Sequence, residues 1–169
     1  LRITSLQAAM RQKDIEYLVA YSCKRGQTKY LAGYFPNYIA NVAAVLVSQS
    51  GDPKLFIRFP FDLERAVRES WIGEIQASGD PEDMAEDIAG DILANAPLVG
   101  KIGIVSGDYL MDEMPHSFYA RLQDCLPGCE LVDQRETVQD LRMIKSPAEI
   151  KAVRKAAGLA DEGLRIAKE

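Results

Sequence analysis

Few residues in this sequence have the chemistry of a catalytic or metal-binding centre. His116 is the single histidine among 169 residues. Histidine is the side chain on which metal sites and acid–base catalysis most often rely. No His-x-x-x-His or Cys-x-x-Cys spacing is present to complete such a site. We therefore expect His116 to lie near the start of a surface helix and to take no part in catalysis.

The cysteines likewise give little indication of a metal-binding or catalytic centre. Cys23, Cys125 and Cys129 are an odd number without the paired spacing of a metal-ligand set. A chain of this length can build a core without a disulfide scaffold. The sequence thus predicts reduced, partly buried thiols of the kind found in a cytosolic protein.

Acidic side chains are numerous, and carboxylates that converge from strand ends can hold the magnesium of a nuclease or phosphoryl-transfer enzyme. The apolar strand-like runs at residues 17–21, 43–47 and 55–59 contain no carboxylate, however. The net charge of −5 also suits a polyanionic substrate poorly. The acidic residues of the segment 83–91 are better explained as the solvated face of a helix. A nuclease is the weakest hypothesis.

Length and composition indicate one globular domain. Hydrophobic residues make up 47% of the 169 positions, and a domain of this size buries roughly 70% of the surface of its unfolded chain. No apolar run approaches the ~20 residues of a membrane span, and the start of the chain lacks a signal-peptide pattern. Acidic and basic residues are interspersed, which argues against a nucleic-acid partner. We expect a soluble, cytoplasmic protein without membrane contact. The sequence opens with Leu1 rather than a methionine, so residues that precede it can be missing.

Strand and helix patterns alternate along the chain. Short apolar runs predict strands at 17–21, 43–47, 55–59, 72–77, 101–105 and 130–133. The turn residues 50–53 (Ser-Gly-Asp-Pro) predict a hairpin between the second and third strands. Apolar spacing predicts helices whose buried residues are Ile3, Leu6 and Met10, then Met84, Ile88 and Ile92, then Phe118, Leu122 and Cys125. Residues 60–71 also carry a mixed helical pattern. This order predicts an α/β three-layer domain, with a mixed five- or six-stranded sheet and helices on both faces.

The sharpest pattern lies in residues 141–169. Ser146, Pro147 and Glu149 form the capping box of a helix with proline at the first helical position. An apolar stripe follows on one helix face, formed by Ile150, Val153, Ala157, Ala160, Leu164 and Ala167. The pattern runs to Glu169 without a glycine or proline stop. It suits a helix that docks onto a following domain, and equally a C-terminal helix that packs back on its own domain.

This segment resembles the connector that leads into the catalytic "pita-bread" domain of creatinases, prolidases and Xaa-Pro aminopeptidases. The family pattern is LR-x-x-K-S-x-x-E-I followed by R-x-A-x-x-x-A-D. It is matched here by Leu141, Arg142, Lys145, Ser146, Glu149, Ile150, Arg154, Ala156, Ala160 and Asp161. Upstream, residues 30–34 (YLAGY) resemble the Y-L-x-G turn that follows the first strand in the family, and the hairpin at 45–59 resembles its next two strands.

The resemblance implies an RNase H-like N-terminal domain over residues 1–140. Residues 141–169 would be the connector and first helix leading to a missing C-terminal catalytic domain. In the family, that domain typically holds two divalent metals, often manganese, cobalt or zinc, on two Asp, one His and two Glu. All these ligands lie beyond the end of this sequence, so the resemblance implies no catalytic residue and no metal ligand here. The parent would act on a peptide or small amide substrate.

The resemblance also implies a homodimer or tetramer in which one loop of this domain leans over a neighbouring subunit's active site. That loop is residues 34–41 here, and it makes Tyr34, Phe35, Tyr38 and Asn41 the candidate substrate-gating or subunit-interface residues. Aromatic rings around a proline would form a rigid wall for a small ligand or partner protein. The alternative is that Tyr34 and Phe35 cap the core at the strand ends.

One departure from creatinase itself bears on the substrate. Where creatinase is expected to place a phenylalanine and an arginine against the substrate carboxylate, this chain has Ile39 and Asn41. The positive charge is absent, which disfavours a creatine-like substrate. Lys24 and Arg25 precede the same loop and could supply a cation, although a solvated pair explains them as well.

Two functions stay open. The first, which the connector favours, is a non-catalytic domain of a metal-dependent hydrolase that contributes to oligomerisation and substrate gating. The second is a free-standing small-molecule-binding or protein-interaction module. In the second case, the final helix would pack on its own domain and a pocket near residues 34–41 would close within one subunit.

Overall fold

A computed structural model describes residues 2–23, 26–36, 41–96, 100–106 and 114–168. Strands and helices alternate through most of this length, as the sequence predicts. The elements are α1 (Arg2–Gln12), β1 (Tyr17–Ser22), α2 (Gln27–Ala32), β2 (Ala43–Ser48), β3 (Lys54–Ile57), a 3-10 turn (Pro60–Asp62), α3 (Leu63–Glu69), β4 (Glu74–Ala77), α4 (Pro81–Asn95), β5 (Lys101–Ser106), α5 (His116–Cys125), β6 (Glu130–Asp133), α6 (Arg135–Met143) and α7 (Pro147–Lys168).

The strands form one mixed sheet in the order β4-β3-β2-β1-β5-β6. β2 runs antiparallel to both of its neighbours, and the other paired strands are parallel. In the centre, Val19 of β1 lies opposite Leu46 of β2 and Ile104 of β5. The β2–β3 pair is the predicted hairpin. Six strands and a mixed sheet confirm the predicted fold class.

Alternate residues of the central strand face opposite sides of the sheet. Leu18 and Ala20 belong to a core that includes residues of α1, α2, α3 and α6. Val19 and Tyr21 belong to a second core with residues of α4 and α5. All four side chains are fully buried, because a strand with apolar residues on both faces must be covered on both sides. The three predicted layers are therefore present.

The three predicted helices bury the expected residues. In each helix, apolar residues recur three or four positions apart. The predicted residues that are buried are Ile3, Leu6, Met10, Met84, Ile88, Ile92, Phe118 and Leu122. Cys125 is only partly buried. His116 is the exposed first residue of α5, as expected. None of the helices among the described residues combines the length and apolarity needed to cross a membrane.

Two helices were not predicted. α2 has six residues, too few to show a helical period, and α6 is largely polar, with Thr137 and Val138 its buried residues. The expected division between residues 140 and 141 falls inside α6, which continues to Met143. The YLAG segment, expected as a turn, forms the last turn of α2, and Gly33 caps it with φ of 81°.

Gly33 offers a test of this helix end. Its φ of +81° disfavours any other residue, and an added Cβ would lie 2.9 Å from the carbonyl oxygen of Glu69. We expect Gly33→Ala to lower the free energy of unfolding by about 2 kcal/mol or more. Gly90 in α4 has open space around it, so Gly90→Ala is the control and should stabilise by up to about 1 kcal/mol. Urea unfolding measures both, and an unchanged midpoint for Gly33→Ala would contradict the left-handed cap.

Candidate functional site

The loop singled out by the sequence has two buried ends. Tyr34 follows the cap of α2 and is 0% exposed, and Asn41 precedes β2 and is 1% exposed. Phe35 is partly buried, and Lys29 of α2 holds its ammonium group 5.1 Å from the centre of the Phe35 ring. The side chains of Tyr34 and Asn41 are therefore inaccessible to a ligand. Any effect on a ligand would be indirect, through the segment that these two residues hold in place.

The remaining expected residues of this region lie outside the described part of the chain. These are Tyr38, Ile39 and the basic pair Lys24 and Arg25. The gating role expected of Tyr34, Phe35, Tyr38 and Asn41 stays a prediction.

Asp62 joins the two ends of the loop. Its carboxylate oxygen Oδ2 accepts a hydrogen bond from the Tyr34 hydroxyl at 2.5 Å and one from Asn41 Nδ2 at 3.2 Å. Asp62 is 2% exposed, so these bonds form away from water, where an unpaired carboxylate would be costly. We refer to Tyr34, Asn41, Asp62 and Arg65 as the Asp62 cluster.

Arg65 neutralises the Asp62 charge. Its Nε donates to Asp62 Oδ1 at 2.7 Å and its Nη2 to Oδ2 at 2.5 Å, a bidentate pair of the stronger kind. The same Nη2 donates to the Phe35 carbonyl at 3.2 Å, and the guanidinium lies 4.5 Å from the centre of the Tyr34 ring. Arg65 thus contacts the acid and the first two residues of the loop at once.

The electrostatics fix the protonation states of the cluster. Burial raises the pKa of Asp62, but the hydrogen bonds from Arg65 and Tyr34, the Arg65 charge and the Asn41 bond together outweigh it, and the pKa lies below its ordinary value. Burial, and then the bond to Asp62, raise the pKa of the Tyr34 hydroxyl. Asp62 is therefore an anion and Tyr34 a neutral donor at neutral pH.

Local sequence positions the acid and the arginine. Pro60 begins the 3-10 turn that ends at Asp62, and α3 follows directly, so Arg65 lies one helical turn beyond the acid. Sequence reasoning missed both residues. The spacing Asp-x-x-Arg at a helix start indicates a surface ion pair as readily as a buried one. Nothing in it points to Tyr34, which lies 28 residues earlier.

A second constellation lies where α7 leaves the domain. Ser146 and Glu149 form the predicted capping box: the Ser146 amide donates to Glu149 Oε2 at 2.8 Å, and the Glu149 amide to Ser146 Oγ at 3.2 Å. The other oxygen of Glu149 pairs with Arg2 of α1 at 2.8 Å. Arg2 also donates to the Tyr30 carbonyl at 2.7 Å. The cap and the domain are thus linked through one side chain, and the hydrogen bonds from Ser146, with Arg2 adding to them, lower the pKa of Glu149.

Beyond the cap, α7 has no buried residue over its 22 positions. The apolar stripe lies in solvent, with Val153 63% and Leu164 63% exposed. Within the part of the chain that the structure describes, α7 does not pack back on its own domain.

The described residues do not fit the metal pair that the sequence resemblance implies for the parent enzyme. No three of their His, Cys, Asp and Glu side chains lie together as a group that could hold a metal ion. Asp91, for example, pairs with Lys54 at 2.5 Å, and Glu86 with Arg121 at 2.6 Å. We therefore derive no step through a metal in this domain.

Comparison with known proteins identifies the family. The model of the creatinase/prolidase N-terminal domain family matches residues 2–144. An uncharacterized hydrolase/peptidase of Sinorhizobium fredii, y4tL, is 30% identical in an alignment 164 residues long that covers 92% of this chain and 38% of that protein. A second, y4tM, is 26% identical over 99% of this chain and 44% of its own length. The chain belongs to the creatinase/prolidase N-terminal domain family.

Solved structures share the fold. The prolidase of Thermococcus sibiricus superimposes with a TM-score of 0.73 at 24% identity, covering 99% of this chain and 43% of that one. The prolidase of Pyrococcus horikoshii gives 0.71 at 20% identity, covering 97% and 41%. The N-terminal domain of the cytoplasmic peptidase PepQ from Mycobacterium tuberculosis gives 0.62 at 19% identity, and there 83% of this chain covers 97% of that one. The chain thus spans about two fifths of the two prolidases and of the first two curated relatives.

The Asp62 cluster predicts a specific pH dependence. Because the folded-state pKa of Asp62 is lowered, its contribution to stability is present above the unfolded pKa of about 3.9 and is lost as pH falls through the folded value. We expect Asp62→Asn to lower the free energy of unfolding by about 3 kcal/mol at pH 7, because Arg65 loses its buried partner and keeps the ion pair with the partly exposed Glu69. This deficit should shrink on acidification to about pH 3.

Urea unfolding of the variant and the wild type at both pH values measures the deficit. Glu86→Gln, which breaks an exposed pair with Arg121, is the control and should cost no more than about 1 kcal/mol. A deficit for Asp62→Asn that is equal at both pH values would contradict the lowered pKa.

Proposed function

We propose that this chain is the non-catalytic N-terminal domain of a cytoplasmic, metal-dependent hydrolase of the Xaa-Pro aminopeptidase, prolidase or creatinase kind. The parent would bind two divalent metals, manganese, cobalt or zinc, in a C-terminal catalytic domain. The N-terminal domain would contribute to oligomerisation and to gating of a neighbouring subunit's active site, on a peptide or small amide substrate. The observation that carries the proposal is the solvent-exposed apolar stripe of α7. This helix begins at Pro147, just after the region that the family model matches, residues 2–144.

The exposed stripe supports the presence of a following domain, because covering the stripe would stabilise α7. Ile150, Val153 and Leu164 of the stripe are 39–63% exposed on one helix. Amphipathic helices of globular proteins gain most of their stability by covering such a face. The family relatives extend well beyond the region matched by this chain. A catalytic domain joined at α7 would cover the stripe, whereas a free-standing interaction module leaves it exposed.

The gating proposal rests on the loop between α2 and β2. Its ends are anchored by the Asp62 cluster, and Phe35, next to the anchored Tyr34, is only partly buried. A segment held at both ends can present apolar side chains to a neighbouring subunit at low entropic cost.

The oligomerisation proposal rests on a second apolar surface. Phe61, Val67 and Trp71 are 73%, 61% and 53% exposed, at and around α3; we call them the α3 patch. Grouped exposed apolar side chains commonly mark an interface. A two-fold dimer, the commonest oligomer, would bury the patch against a second copy of the chain.

An assay of catalysis tests the proposal that the metal ligands lie in a C-terminal domain. We expect the 169-residue chain alone to show no hydrolysis of an Xaa-Pro dipeptide with added manganese. The full-length protein should hydrolyse it and should lose activity on chelation, because the metal ligands are proposed to lie in the C-terminal domain. Release of free proline measures both. Manganese-dependent turnover by the chain alone would overturn the proposal.

The second prediction concerns the α3 patch. We expect Val67→Glu to raise the dimer dissociation constant of the full-length protein at least about tenfold, since a buried unpaired charge costs more than 1.4 kcal/mol. Leu93→Glu, on α4 at the opposite face of the sheet and 39% exposed, is the matched control and should leave the dimer intact. Sedimentation velocity over a dilution series measures both. Equal dissociation constants for Val67→Glu and wild type would exclude the patch from the interface.

A further inference from the structure

A charged cavity lies beside the point where α7 leaves the domain. It has a volume of about 700 Å³ and is bounded by residues of α1, α2 and α6 and by the first turn of α7. We call it the Tyr30 cavity, after the partly buried ring in its lining. Small-molecule sites commonly have volumes of roughly 300–1,000 Å³. The Tyr30 cavity is therefore large enough for an organic ligand.

Positive charge predominates in the lining of this cavity. The charged side chains among the described residues that line it are four cations, Arg2, Lys29, Arg142 and Lys145, and two acids, Asp140 and Glu149. Four cations and two acids leave a balance of two positive charges, in a chain whose net charge is −5. Cations that lie close together repel one another, and a bound anion relieves that repulsion. The lining therefore matches a ligand with two negative charges.

Two arginines of the lining converge on Tyr30. The guanidinium carbon of Arg2 lies 4.6 Å from the centre of the Tyr30 ring, and that of Arg142 lies 5.9 Å from the same point. Guanidinium groups present paired N–H donors that match the oxygens of a phosphate group. Arg2 is held in place by hydrogen bonds to the Tyr30 carbonyl and to Glu149 Oε1. These bonds use two of its five N–H donors, so donors remain for a ligand.

We propose that the Tyr30 cavity binds a small organic phosphate. Arg2, Arg142 and Lys145 hold the phosphate group. Tyr30 and the 73% exposed Met143 contact the organic part. The site is formed within this chain, and the proposal does not rest on the catalytic activity proposed for the parent.

The position of the cavity gives a ligand an effect on α7. Glu149 caps α7 with one carboxylate oxygen and pairs with Arg2 through the other. A phosphate group held by Arg2 lies next to this pair and contacts α1 and the start of α7 at once. A ligand that binds only the folded arrangement stabilises it. Binding should therefore reduce local opening at the first turn of α7.

Isothermal titration calorimetry on the 169-residue chain tests the site, with phenyl phosphate as the probe. The chain alone is used because divalent metals in a following domain would bind phosphate themselves. The titration is run at low salt and about pH 8, where a phosphate monoester is a dianion because its second pKa is about 6. We expect a Kd below about 1 mM. Inorganic phosphate should bind at least about tenfold more weakly, since it lacks the apolar contacts of the ring.

Three variants locate the binding groups. Arg142→Gln should weaken binding of phenyl phosphate at least about tenfold, because a charge-assisted hydrogen bond is lost. Lys145→Gln, at an exposed position, should weaken it about threefold. Arg121→Gln removes the same charge from α5, whose buried residues pack on the opposite face of the sheet. This control should match wild type, and the urea midpoint of each variant verifies that it is folded.

Hydrogen exchange gives a second readout. With saturating phenyl phosphate, the amides of residues 143–152 should exchange at least about threefold more slowly, whereas those of α4 should not change. No binding of phenyl phosphate up to about 10 mM would overturn the proposal. Wild-type affinity in both Arg142→Gln and Lys145→Gln would overturn it as well, because the probe would then bind elsewhere. Equal affinity for phenyl phosphate and inorganic phosphate would exclude the organic ligand.

Discussion

The structure depends on a sheet that is buried on both faces. Residues 18–22 of the central strand are all buried, so each face of the sheet must be covered by helices. α1, α2, α3 and α6 cover one face, and α4 and α5 cover the other. α7 belongs to neither layer, and none of its residues is buried.

Contacts at the start of α7 fix the direction in which this helix leaves the domain. Glu149 closes the capping box of α7 with one carboxylate oxygen and contacts Arg2 with the other. The ion pair is partly exposed and contributes little free energy by itself. Its importance is geometric, because it joins the first turn of α7 to α1. The direction in which α7 leaves the domain is thereby tied to the layer that covers the sheet.

The Asp62 cluster joins separate parts of the domain by side-chain hydrogen bonds. Its contacts bridge the loop after α2 and the start of α3, two parts of the chain that no strand pairing connects. The same helix carries the exposed Val67 of the α3 patch on its outer side. Any partner that contacts α3 would therefore press on an element that is hydrogen-bonded to the loop.

The sequence by itself determined the layered fold, the hairpin and the cap of α7, because each depends on residues close together in the chain. Short continuous apolar runs rich in β-forming residues indicate strands, and Ser146, Pro147 and Glu149 indicate a helix start. The connector pattern also indicated the family that the comparisons established. Short or polar helices such as α2 and α6 escaped prediction because tertiary contacts, rather than periodicity, stabilise them. Only the tertiary structure decided that Tyr34 faces inward onto Asp62, since a hydrogen bond between residues 28 positions apart leaves no local signal.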